Sequence, residues 1–126
     1  MKLTEARDLL AAAVEAAVPA NVYAFLADTV QTPAVLVGWA DPWWSAAGVC
    51  AGELTVAAEL VCVVGRLDAA GQQAALDALA VAVYLALEDD PEWTAPAAPA
   101  GPFALDIGGV TYLAATLTTS AVVDAA

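Results

Sequence analysis

From Glu53 to Val64 the chain alternates without a break: Leu54, Val56, Ala58, Leu60, Cys62 and Val64 fall on one side, and Glu53, Thr55, Ala57, Glu59, Val61 and Val63 on the other. Successive side chains of a strand point to opposite faces, so a period of two over such a length specifies a strand with one buried face. Polarity fades on the second face toward Val61 and Val63, which are expected to meet another element or another chain. Gly65-Arg66-Leu67 turns the chain, and Asp68 is placed as a helix N-cap.

A half-buried strand needs neighbours and a cover, and the flanking sequence supplies both. Ala34-Val35-Leu36-Val37-Gly38-Trp39 is short, apolar and rich in β-formers, and reads as a strand. Asp41-Pro42 is expected to open a loop running to Gly52, because proline fixes its own φ and biases the residue before it away from helix. Phe103–Ile107 and Val110–Thr119 flank Gly108-Gly109, a two-residue connection suited to a primed hairpin turn, with Leu113, Ala115 and Leu117 facing the core. Ala95–Pro102, rich in proline and alanine, reads as a loop.

Two helices complete the set. Leu3, Ala6, Leu10, Ala13, Val14 and Ala17 recur at helical spacing, with acidic residues near the start and Pro19 past the end. Leu76, Leu79, Val83 and Leu87 form a second stripe within Ala69–Glu88, from which Gln73, Asp77 and Glu88 are excluded. Val81 and Leu85 lie toward the side opposite that stripe. Either the fold covers this helix on both sides or a partner subunit does. The expectation is one α+β domain over residues 1–126, a small mixed sheet of about four strands packed by two helices in the order α-β-β-α-β-β.

The chain is 62% hydrophobic, but alanine supplies roughly a quarter of it and adds little greasy area. The longest uncharged run, Ile107–Val123, carries a Gly-Gly pair with threonines and serines, so no transmembrane helix and no membrane partner are expected. The N-terminus meets acidic residues at once, unlike a secretory signal, which points to a cytoplasm. Cys50 and Cys62 are too few and too far apart for a disulfide framework or thiolate cluster, and read as small buried hydrophobes.

Lys2, Arg7 and Arg66 stand against 15 carboxylates, for a net charge of −12. Phosphate neutralisation needs clustered lysine and arginine, so specific nucleic-acid binding is not expected. Acidity of this kind also keeps an alanine-rich protein soluble. The sequence has no histidine, which removes the commonest general base and metal ligand and the Ser-His and Cys-His nucleophile systems. Gly108-Gly109 has no following lysine or helix and fits a turn better than a phosphate loop. Glu88, Asp89, Asp90 and Glu92 form a carboxylate cluster, but Pro91 interrupts it and EF-hand spacing is missing, so a solvated helix end is expected and not a metal site. Neither a cofactor nor catalysis is expected. Trp39, Trp43 and Trp44 gather around the loop; they either cap the core or bring at least one indole to a subunit interface. The interface candidates are therefore Trp39, Trp43, Trp44, Val81 and Leu85.

In order, Pro33-Ala34-Val35-Leu36-Val37, Asp41-Pro42-Trp43-Trp44, a long alternating strand ending in Gly65, Ala74-Ala75-Leu76-Asp77-Ala78-Leu79, and Gly108-Gly109-Val110-Thr111-Tyr112-Leu113-Ala114-Ala115 resemble the tail terminator proteins of long-tailed actinobacteriophages. These segments are spread over residues 33–115 of the chain; related neck and head-completion proteins share its size and fold. The resemblance implies an α+β virion protein that binds no cofactor and forms a ring, typically a hexamer. Such a ring sits on the head-proximal end of the tail, in the neck region. Its partners would be itself, the major tail tube protein and the head-tail connector protein. It would be assembled in the bacterial host cytoplasm, and DNA would pass through its acidic channel without specific binding. A soluble host interaction domain is the alternative outside the virion.

Overall fold

The computed structural model describes residues 1–24, 29–47, 52–66, 70–94 and 100–125. Its elements are α1 (Leu3–Ala17), β1 (Asn21–Tyr23), β2 (Ala34–Ala46), β3 (Glu53–Arg66), α2 (Gln72–Glu88), β4 (Ala100–Ile107) and β5 (Val110–Asp124). The fold is α+β: a mixed sheet ordered β1-β2-β3-β5-β4, in which β1 runs parallel to β2 and every other pair is antiparallel. The alternating run is the centre of that sheet.

Both helices cover one face of the sheet. Ala6, Leu10 and Val14 of α1 and Leu76, Leu79, Val83 and Leu87 of α2 share a core with Val35, Val37, Val56, Leu60, Cys62, Leu117 and Val123. The apolar side of β3 is thus the helix-facing side, as its period of two requires. On the opposite face Ala34, Leu36, Val63 and Ala114 form a second, smaller buried cluster edged by Tyr23, Val30, Val61, Leu105 and Tyr112. Val63 is buried there by its cross-strand neighbours Ala34 and Ala114.

Several boundaries differ from the sequence expectation. The sheet has five strands among the described residues, not about four, because β1 is only three residues long and too short to display a period. β2 does not stop before Asp41-Pro42 but runs to Ala46; Ala40–Trp43 bulge out opposite Ala57, and pairing resumes at Trp44↔Val56. Proline is tolerated there because β1 pairs only as far as Leu36, leaving the outer edge of β2 without a ladder partner. Pro102 lies inside β4, not in a loop, for the same reason: β4 is an edge strand and its register shifts between Ala100 and Phe103. β5 continues past Thr119 to Asp124.

The hairpin turn is as expected, with Gly108 and Gly109 at φ 58° and 83°, the left-handed pair that a primed turn demands. In α1 the buried stripe runs through Ala6, Leu10, Ala11 and Val14 to Val18, so Ala17 is exposed instead of buried. α2 begins at Gln72 with Gly71 at its N-cap, later than Ala69. Asp68 and Cys50 lie outside the described residues, and Cys62 is fully buried.

Beyond α2 the chain is clasped to β5. The Asp90 carboxylate accepts the backbone N–H of Glu92 at 2.8 Å and of Trp93 at 3.3 Å, turning Trp93 into the core where it is 4% exposed. Thr94 N–H donates to the Ser120 carbonyl at 2.9 Å, and the buried Thr119 hydroxyl donates to the Thr94 carbonyl.

Candidate assembly surfaces

α2 is apolar on two sides. Its inner stripe fills the core, while Ala74, Ala78, Val81 and Leu85 follow one another at helical spacing along the outer side, all exposed. Val81 is 56% and Leu85 52% exposed, so the fold does not cover them. These four residues carry no charge; the exposed Asp77 stands beside them, engaged by the Gln73 side chain at 2.9 Å, and the exposed Glu88 follows Leu85 at the end of the helix.

The three tryptophans of the β2 region are separated by the structure. Trp39 is partly buried and packs against the core beneath the helices. Trp43 and Trp44 are 50% and 47% exposed, on and just beyond the bulge that carries the exposed Asp41. The bulge interrupts pairing, so this stretch of β2 lies at the margin of the sheet with its indoles uncovered. Trp93, which the sequence does not single out, is the indole that caps the helix-covered core.

At the other end of the sheet a cleft of about 470 Å³ opens between the end of α1 and the start of α2. Pro19, Pro33 and Val64 form one wall, and Ala75, Ala78, Leu79 and Ala82 the other. Ala78 thus belongs both to the cleft and to the outer stripe. Gln72 closes the bottom: its Oε1 accepts the Gly65 N–H at 2.6 Å, where β3 slips register against β5 and the ladder cannot take that donor. A Cβ on residue 65 would sit 2.5 Å from the same oxygen, so glycine is what allows the close approach. Nothing in the linear sequence joins Gly65 to Gln72; the only hint was a glycine closing a strand.

Acidic residues crowd the Glu53 end of the sheet, although the exposed Asp106 lies near the Arg66 end. Glu53 pairs in register with Asp124, and Met1, Glu5, Asp90 and Glu92 gather around Trp93 at the same end. Arg66 stands exposed at the opposite end, next to Gly65. Among the described residues the one ion pair joins the Met1 amino group to Asp124 at 3.9 Å, leaving Arg66 without a carboxylate partner. Among the described residues, too, no three His, Cys, Asp or Glu side chains come together as a metal site would require, and no helix is long and apolar enough to cross a membrane. Burial pushes the Cys62 thiol up to about 12.

No protein-family model matches this chain, and no curated protein matches it.

Proposed function

We propose that this protein is a structural assembly subunit that works as a ring of identical copies, with no catalytic role. The observation that carries the reading is the outer face of α2, where Val81 and Leu85 stand more than half exposed on an uncharged stripe. Exposed aliphatic residues scattered singly need no explanation, but a continuous stripe along one helix of a strongly acidic chain marks a contact surface. The half-exposed Trp43 and Trp44 add a second apolar surface, of the residue type most enriched at interfaces. A head-to-tail contact between these two distinct surfaces generates a ring when its rotation closes.

The ring's place follows from the tail-terminator resemblance of the segments quoted above. In this reading the protein ends tail-tube polymerisation at the head-proximal end and joins the tube protein to the head-tail connector. The net charge of −12 per copy lets DNA cross the ring without adhering. The absence of histidine from the sequence agrees with a non-enzymatic role.

Two experiments test the reading. Val81→Asp and Leu85→Asp are expected to abolish self-association in sedimentation at high concentration and on purified tail tubes, with unchanged circular dichroism. Stranding an unpaired charge in a contact costs about 3 kcal/mol or more. If either variant unfolds, the residue belongs to the domain core. Electron microscopy of particles lacking the protein then separates the roles: overlong or headless tails support termination, whereas finished tails with leaking heads support head completion.

A further inference from the structure

We infer that the outer face of α2 packs antiparallel against the α2 of a second copy, in a two-fold contact formed by the free subunit. Ala74, Ala78, Val81 and Leu85 step along the helix by four, three and four residues, the spacing of a coiled-coil seam. All four are exposed, so a second helix has direct access to the seam. The pair goes beyond the ring reading, because it uses this stripe before a ring is built and gives way when the ring contact takes it.

The seam is graded in size, and the grading sets the direction of the second helix. Small residues lie toward the start of α2 and large ones toward its end. With the two-fold axis level with the Leu79-Ala80 bond, Leu85 of one copy lies over Ala74 of the other and Val81 over Ala78. Each large side chain then meets a small one. A parallel pair would set Ala74 against Ala74 at one end, Leu85 against Leu85 at the other, and Glu88 against Glu88 beyond them.

The polar residues beside the seam fit the same register. Gln73, Asp77, Tyr84 and Glu88 share one flank of α2, and a two-fold axis brings that flank of both copies to the same side. Asp77 then comes beside Tyr84 of the second copy, and Glu88 beside its Gln73. Each carboxylate faces a side chain that can donate a hydrogen bond, not another carboxylate. Glu88 ends a helix with no basic residue in its last turn, and it reaches the start of a helix with no acidic residue in its first. On the opposite flank Ala75 and Ala82 let the backbones approach closely. In the same helical layer, α1 carries the exposed Glu5, Asp8 and Glu15, so the pair is expected to strengthen as salt screens them.

Disulfide trapping tests the register. Ala74→Cys and Leu85→Cys are made in separate chains, each in a Cys50→Ser background with the fully buried Cys62 left in place. Both positions are exposed on the helix, and circular dichroism checks that each variant is folded. In the antiparallel pair position 74 of one copy lies opposite position 85 of the other. The two positions 74 lie about 16 Å apart along the helix axis, as do the two positions 85, too far for a bridge. Mixed in about 0.5 M salt, the two variants are therefore expected to form a bridged heterodimer at least about 10-fold faster than either forms a homodimer. Adding Val81→Asp to both is expected to abolish that excess. Homodimers as fast as the heterodimer, or no bridge in any sample, overturn the pair and leave the ring reading standing. On purified tail tubes the bridged pair is expected to bind only after reduction. If it binds while still bridged, the pair stands and the α2 stripe is not the ring contact.

Discussion

Gly65→Ala is expected to change the sign of its effect with the residue at position 72. In the wild-type chain the added Cβ would lie 2.5 Å from Gln72 Oε1 and 2.7 Å from its Cδ, so the amide must swing away. The swing itself is cheap, because these atoms end a flexible side chain. Its cost is the 2.6 Å hydrogen bond from the Gly65 N–H, about 0.5–1.5 kcal/mol, plus part of the about 1–3 kcal/mol penalty for a partly buried donor left without a partner. Against this, alanine at a compatible backbone conformation restricts the unfolded chain and contributes about 0.4–1 kcal/mol, and Gly65 is not among the positive-φ glycines. The net expectation is a destabilisation of about 1 kcal/mol. Gln72→Ala loses the same hydrogen bond but opens the space. In that background the Cβ of Gly65→Ala no longer meets the Gln72 amide, the entropic gain dominates, and the change is expected to stabilise by about 0.4–1 kcal/mol. The assay is a double-mutant cycle from urea midpoints at a common m-value. Equal destabilisation by Gly65→Ala in both backgrounds would refute the role assigned to the Gln72 contact.

Three further outcomes are expected. Leu60→Ala, at a fully buried position between Val37 and Leu117 in the sheet, is expected to cost about 2–5 kcal/mol in denaturant unfolding. Thr119→Val keeps the shape but removes the donor to the Thr94 carbonyl; a loss of about 1 kcal/mol is expected, with faster amide exchange at Thr94. The Cys62 thiol is pushed up to about 12 by burial, so the native state holds its proton where the unfolded chain, near 9, releases it. Its contribution is complete below about pH 9 and declines by about 1.4 kcal/mol per pH unit as pH rises toward about 12. Wild type and Cys62→Ala compared across that window are expected to diverge by this slope; parallel curves would show that the thiol is not desolvated.

What the sequence discloses follows from what is local. The period of two in Glu53–Val64, the stripe Leu76, Leu79, Val83, Leu87 and the Gly108-Gly109 turn each carry their instruction within a few residues, and each is found where it was read. Asp41-Pro42 and Pro102 were misleading because a proline stops a strand only where its N–H is needed, and edge status depends on which strands pair at a distance. The exposure of Val81 and Leu85 was legible as a second apolar side of α2. The split of the tryptophans was not: whether an indole on a strand is covered depends on helices far away in sequence. The cleft was hidden altogether, since it exists only where Pro19, Pro33, Gly65 and Gln72 are brought together by the sheet.

The strand order has a consequence for how the chain acquires its structure. β2 and β3 are neighbours along the chain, as are β4 and β5, so each pair can close as a local hairpin. The seam between β3 and β5 is different, since it joins Glu53 to Asp124 and Arg66 to Tyr112 across α2 and β4. Closing it requires the entropy of a long loop, which places the slow step of refolding at this seam. Until it closes, both hairpins expose an open strand edge of valine, leucine and threonine, and such edges pair readily with those of other molecules. Mutual repulsion among acidic chains opposes that mispairing. The same negative charge that keeps the finished subunit soluble therefore also guards the seam while it is open, and refolding yield is expected to fall as salt screens it.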